Sequence, residues 1–311
     1  MILSVSRRTD IPSFYSDWFF NRIKEGFLYV RNPMNPYQIS SITLSPDIVD
    51  CIVFWTKNPE PMLERLNELE DYYYYFQFTL TGYGRDIEYN VSHKKEKMIP
   101  VFKELSSKIG PKRVIWRYDP IMFTAKYTKE YHLKAFEQIA QSLKGYTKRC
   151  VISFVDTYTK NQRNLNILNE FRLNEDELKS FVKKLGEIAH ENDMDIFTCA
   201  EQTDLSEYGI SHSCCIDKTL IEEIIGCKIK SEKDKNQRNE CGCIESIDVG
   251  TYNTCKNGCK YCYANYSKES VIRNCKNYDA NSPLLCGILQ ENDRITQRKV
   301  KSIKTGQLSL L

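Results

Sequence analysis

The sequence predicts an α/β fold: a TIM-like barrel of βα units, partial or closed, carrying a C-terminal cysteine-rich segment suited to binding a cluster. Six short apolar runs alternate with helical patterns, as parallel βα units require. The residues just after each run are polar, as at the chemical end of a barrel. Five of the 13 cysteines crowd into 22 residues near the end of the chain, which predicts the appended segment. A doubly wound open sheet is the competing architecture.

The first strand, over 2–5, precedes a helix over about 16–27. Prolines 33 and 36 with their neighbouring asparagines make a turn ahead of an apolar run over 39–44. The second strand, 51–55, is followed by a helix with Asn58 as cap and Pro59 in its first turn, where a missing N–H costs little. The third strand spans 73–80, and its helix sets Val101, Phe102, Leu105 and Ile109 on one face. A fourth, 114–116, is followed by Phe136, Ile139, Ala140 and Leu143 at helical spacing. After the fifth, 151–155, Asn174 and Glu177 have the spacing of a capping box, ahead of a stripe of Leu178, Phe181, Val182 and Leu185. The sixth, 196–199, leads to a helix over about 217–225 that stops at Gly226. Residues 1–226 are therefore assigned to the barrel, 227–240 to a charged linker, 241–290 to the cysteine-rich segment and 291–311 to a basic tail.

The chain has 311 residues, with 44 basic and 41 acidic side chains, so its net charge of +3 gives no strong attraction to nucleic acid or anionic membrane. A chain of this length buries roughly three quarters of its unfolded surface, enough for a large core. No apolar run approaches the ~18 residues of a membrane span. Arg7, Arg8 and Asp10 charge a start that would be apolar in a signal peptide. A cytoplasmic protein is expected, with no membrane partner. An odd number of cysteines without an export signal implies free thiols. Cys51, Cys150 and Cys199 read as small hydrophobes within strands, and Cys214-Cys215 as packing at a strand-end loop.

The strand ends carry Ser6-Arg7-Arg8-Thr9-Asp10, Thr56-Lys57-Asn58, Thr79-Leu80-Thr81-Gly82-Tyr83-Gly84, Arg117-Tyr118-Asp119-Pro120, Asp156-Thr157-Tyr158 and Glu201-Gln202. A converging ring of such groups is costly to desolvate unless it binds something, which predicts a pocket for a small polar molecule. Arg7, Arg8, Lys57 and Arg117 suit a carboxylate or phosphate. Asp10, Asp119, Asp156 and Glu201 suit ribose hydroxyls, an amine, or acid–base work. Asp10, Lys57, Asp119, Asp156 and Glu201 are taken as candidate catalytic residues, and Arg7, Arg8, Arg117 and Tyr261 as candidate cofactor contacts. No phosphate loop or zinc-protease motif occurs, and Gly82-Tyr-Gly84 lacks the third glycine of a dinucleotide fingerprint. The run of tyrosines at 72–75 reads as one aromatic strand.

Cys255, Cys259 and Cys262 form C-x3-C-x2-C, with Tyr261 before the last thiol. Three thiolates on a four-iron cubane leave one iron without a protein ligand, open to the amino and carboxylate groups of S-adenosylmethionine. Cys241 and Cys243 are further candidate metal ligands, and a fourth thiol would close that iron. A structural zinc on Cys243, Cys255, Cys259 and Cys262 is the alternative, giving a binding or scaffold protein without radical chemistry.

The triplet resembles the cluster loop of the radical S-adenosylmethionine superfamily, and the six βα units resemble its partial barrel. That resemblance implies a [4Fe–4S] cluster, S-adenosylmethionine and a reductant such as flavodoxin or ferredoxin. In that superfamily the triplet follows the first strand, whereas here that loop is Ser6 to Asp10, and no Gly-Gly-Glu stretch is present. Over nearly its whole length the chain also resembles a bacterial family known as domain of unknown function 1848. The matching residues are Ser6 to Asp10, Phe54-Trp-Thr-Lys-Asn-Pro59, Trp116-Arg-Tyr-Asp-Pro120 and Cys241 to Asn265. This resemblance implies that the late cysteines fold back over the barrel mouth, gaining in space the place they lack in chain order.

Overall fold

The computed structural model describes residues 1–201, 203–238 and 240–308, without side-chain detail at 306–308. Gln202, expected at the sixth strand end, and 309–311 of the tail lie outside the described residues. In chain order the elements are β1 (Ile2–Val5), α1 (Ile11–Phe14), α2 (Ser16–Glu25), β2 (Phe27–Arg31), β3 (Gln38–Thr43), β4 (Cys51–Thr56), β5 (Tyr74–Thr79), α3 (Ile99–Ile109), β6 (Val114–Ile121), α4 (Lys129–Leu143) and β7 (Arg149–Phe154). They continue with α5 (Gln162–Ile167), α6 (Glu175–Glu191), β8 (Asp195–Cys199), β9 (Ile210–Ser213), α7 (Lys218–Ile225), β10 (Cys227–Ile229), β11 (Ile247–Asp248), α8 (Lys268–Cys275), β12 (Arg294–Gln297) and β13 (Lys304–Leu308).

Eight strands form one sheet in the order β11-β1-β4-β5-β6-β7-β8-β9, every neighbour parallel. The six strands expected from the sequence are its middle, and β9 and β11 extend it at either end. From β1 to β9 the spatial order follows the chain with no reversal, so the switch point of a doubly wound sheet does not occur there. The region 227–240, expected as a linker, opens with β10, which pairs antiparallel with β13 from the tail. The tail also supplies β12, laid parallel to β3, which pairs antiparallel with β2.

Side-chain alternation decides what each sheet face buries. Leu3, Val5, Ile52, Phe54, Phe76, Phe78, Trp116 and Ile152 join residues of α2, α3, α4 and α6 in the larger core. Ile2, Cys51, Val53, Tyr75, Ile115 and Val151 form a second cluster with Ile216, Leu220, Ile221 and Ile225 in and beside α7. Burial on both faces explains why these strands are continuous apolar runs. The helix expected after β4 is a 3-10 stretch, Glu60–Leu69. Pro59 and Pro61 lack the N–H groups that would begin an α ladder there.

Local capping follows the sequence. Asp217 accepts from Thr219 N at 2.8 Å and Leu220 N at 3.2 Å, and Gly226 ends α7 at φ +69°. Asn174 Oδ1 accepts from Glu177 N at 2.9 Å, and Glu177 Oε2 accepts from Asn174 N at 3.3 Å. Asn174→Ala is expected to cost about 1 kcal/mol, read as a lower urea midpoint with the denaturant slope unchanged.

Candidate functional site

The loop leaving β1 is fixed by two carboxylates. Asp248, in β11, accepts from Ser4 Oγ at 2.8 Å, Ser6 Oγ at 2.6 Å, Arg7 N at 2.8 Å and Gly250 N at 3.0 Å. Asp10 accepts from Ser13 N at 3.1 Å, Lys57 N at 2.8 Å and the Asn257 amide at 2.9 Å. Burial lifts the Asp10 pKa above the usual carboxylate value despite these donors. Asp10 therefore ties together the loops after β1 and β4 and the cysteine loop, its oxygens already engaged.

Close approach at this junction requires glycine at 250. A Cβ there would stand 2.0 Å from Ser6 Oγ and 2.7 Å from Ser6 Cβ. Gly250→Ala is expected to destabilise by about 1–3 kcal/mol, as overpacking does, and Ser6→Gly in the same chain should recover part of the loss in thermal melts.

The triplet's loop is held on several sides. Asn253 N donates to Ala264 O at 3.0 Å and closes it, while Asn265 Nδ2 reaches Cys255 O at 2.8 Å. Lys260 N donates to Ile87 O at 2.9 Å, Asn90 N to Asn257 O at 3.0 Å, and Glu88 bridges antiparallel to Cys259. Asn161 and Asn164 donate to the carbonyls of Tyr261 at 3.1 Å and Lys260 at 2.9 Å. Tyr263 OH donates to Arg7 O at 2.9 Å, and Tyr15 OH to Thr254 O at 2.6 Å. The late cysteines thus lie against the loops that follow β1, β4 and β5.

Cys255, Cys259 and Cys262 are free and half-buried. Burial raises all three thiols; Cys255 reaches about 12, with Asp10 adding to the effect. Cys262 Sγ accepts from Ala264 N at 3.3 Å, and Asn257 Nδ2 stands 3.6 Å from Cys255 Sγ. Beside Cys259 lies a buried charge cluster that the sequence did not reveal. Glu88, 1% exposed, accepts from Lys57 Nζ at 2.7 Å, Thr81 Oγ1 at 3.0 Å, Lys94 Nζ and Tyr261 OH. Burial opposes its charge, but Lys57 and Lys94 outweigh that and hold it at about 2. For Lys57 burial is likewise outweighed by Glu88 and the pKa rises; for Lys94 burial and Lys57 prevail and it falls. Both lysines share one carboxylate, and Lys57 has the stronger claim.

The remaining candidates divide. Arg117 is committed to Asp119, its Nε 3.0 Å from Oδ1, and also reaches Gln77 Oε1 at 3.2 Å and Cys215 Sγ at 3.0 Å. Asp156 pairs with Arg238. Glu201 accepts Phe154 N at 2.8 Å, and burial raises its pKa. Arg8 leans on the Tyr252 ring at 5.1 Å and Gly250 O at 3.4 Å. Arg7 stacks on Trp55 at 5.2 Å, while its buried Nη2 has no hydrogen-bond partner. Cys241 and Cys243 do not join the triplet. The thiols that act on Cys243 are Cys215 and Cys241, and Cys215 Sγ lies 3.0 Å from Cys199 Sγ. Hydrogen bonds from Cys199 and Cys243, with Arg117 and Arg7 nearby, hold the Cys215 thiol well below its usual range against the effect of burial. Among the described residues no group of three or more His, Cys, Asp or Glu side chains is placed to hold a metal ion.

These features define a parallel α/β protein whose late thiol-rich loop closes over the carboxyl ends of its sheet. The chain belongs to the family described as Domain of unknown function (DUF1848), whose model matches residues 2–264. None of the curated proteins and none of the solved structures matches the chain. Among the described residues no helix is long and apolar enough to cross a membrane.

Proposed function

We propose that this chain is an iron–sulfur enzyme of the radical S-adenosylmethionine type, built as a partial TIM-like barrel. Cys255, Cys259 and Cys262 would hold a [4Fe–4S] cluster, and the polar strand ends would hold S-adenosylmethionine and a small polar substrate. The carrying observation is that a triplet late in the chain is fastened to the loops after β1, β4 and β5 through Asp10–Asn257 and the Glu88–Cys259 bridge. Those loops are where a barrel of parallel strands collects its chemistry. The unreversed strand order favours the barrel over a doubly wound sheet.

The donor set fits such a cluster. Three free thiols are grouped in one short loop, and Cys262 already accepts an N–H, as cluster sulfurs do. The Lys57 ammonium offsets negative charge near Cys259. Cys241 and Cys243 sit with Cys215 instead, so Cys255, Cys259 and Cys262 would be the three protein ligands of such a cluster. When bound and reduced, such a cluster supplies the electron that splits S-adenosylmethionine into methionine and a 5′-deoxyadenosyl radical.

The chain's own groups orient and exclude. Glu88 receives Lys57 and Tyr261 and fixes the loop. Arg7, with an unpartnered buried N–H group, suits a carboxylate of cofactor or substrate. Glu201, pushed up by burial, is suited to give or take a proton. A one-electron donor such as flavodoxin or ferredoxin completes the scheme, and the free thiols fit the cytoplasm. Anaerobic reconstitution should load about four irons per chain on the triplet. Zinc there after purification with both metals present would favour a structural or binding role instead.

A further inference from the structure

We infer that Cys199, Cys215, Cys241 and Cys243 form a second metal site, separate from the triplet, that takes one zinc ion as a tetrathiolate. The inference does not rest on the radical reading. The four thiols come from three distant segments: the end of β8, the loop after β9, and the Cys-x-Cys that follows β10. Folding brings all four together, each buried, within the cluster that covers the α7 face of the sheet.

They lie as neighbours. Cys199 Sγ lies 3.0 Å from Cys215 Sγ, and Cys215 and Cys241 are the groups that act most strongly on the Cys243 thiol. Sulfurs gathered in this way suit the sphere of one ion, whereas a cubane would hold them apart around its inorganic core. With Zn–S near 2.3 Å, a tetrahedron sets its sulfurs about 3.8 Å apart. The close pair therefore separates by less than about 1 Å when an ion replaces the shared protons. Each ligating thiol releases its proton to solvent.

The surroundings are those of a bound thiolate group. Cys215 is pinned through its carbonyl by Tyr75 OH at 2.7 Å and Gln77 Nε2 at 2.9 Å. Its sulfur accepts from Arg117 at 3.0 Å, and Cys243 Sγ accepts from Ile216 N at 3.4 Å. Such donors orient and tune metal-bound sulfur. Four thiolates on Zn²⁺ carry a net charge of −2, and Arg117 and Arg7 both stand close enough to act on these sulfurs. An ion there would tie the Cys-x-Cys after β10 to the end of β8 and the loop after β9.

The test uses the full chain with Cys255→Ala, Cys259→Ala and Cys262→Ala, purified with zinc available. It should retain about one zinc per chain, and adding Cys215→Ser with Cys243→Ser should reduce this to a trace. Cobalt supplied in place of zinc to the triplet-free chain should give the intense visible bands of tetrahedral cobalt thiolate. Those bands need no further variant, so a quartet variant that fails to fold does not decide the matter. A zinc-free triplet variant, zinc indifferent to Cys215 and Cys243, colourless cobalt protein, or iron with sulfide on these thiols would each overturn the inference.

Discussion

Glu88→Ala is expected to cost the fold about 3–5 kcal/mol, the scale seen when one member of a buried ion pair is removed. The side chain is almost fully buried, and its two oxygens receive Lys57, Lys94, Thr81 and Tyr261. Alanine leaves two half-buried or buried ammonium groups facing each other across an emptied site, with a tyrosine hydroxyl orphaned beside them. A fall in thermal midpoint of many degrees, with loss of ordered structure around the cysteine loop, is the expected readout. The pH dependence has a fixed sign. Glu88 ionises at about 2 when folded against 4.5 ordinarily, so its stabilisation is present above 4.5 and drains away as pH falls towards 2. Glu88→Gln removes that titration, so its midpoint should fall less than the wild type's across this interval.

Replacing any one of Cys255, Cys259 and Cys262 by alanine is expected to abolish reductive cleavage of S-adenosylmethionine. Two thiolates cannot hold a cubane with one open iron, so iron content after reconstitution should collapse as well. The fold should survive, because the loop is closed by Asn253 N to Ala264 O and tied down by Asn90, Asn161 and Asn164 without using a sulfur. Unchanged circular dichroism with lost iron and lost cleavage separates this outcome from simple unfolding.

The strands that the sequence disclosed are those buried on both faces. β4, Cys-Ile-Val-Phe-Trp-Thr, and β7, Arg-Cys-Val-Ile-Ser-Phe, announce themselves by apolar continuity. β9, Ile-Ser-His-Ser, and the two-residue β11 carry no such pattern and exist through pairing with β8 and β1. β6 continues to Ile121, beyond the expected 116, because Pro120 reads locally as a break. The triplet could be picked out as a candidate because its thiols are close in sequence. Glu88 could not, since its partners at 57, 94 and 261 meet only in the folded chain. The same holds for Cys199 and Cys215, which read singly as packing. Arg117 and Asp119, two apart on one strand, share a face, and that spacing could have disclosed their pairing as against two free ligands.

The most direct measurement is 5′-deoxyadenosine formation by the anaerobically reconstituted full chain, given S-adenosylmethionine and a strong one-electron reductant. The account predicts release of 5′-deoxyadenosine and methionine that vanishes in the Cys255→Ala, Cys259→Ala and Cys262→Ala chains. A chain that takes up its full iron yet leaves S-adenosylmethionine intact would contradict it.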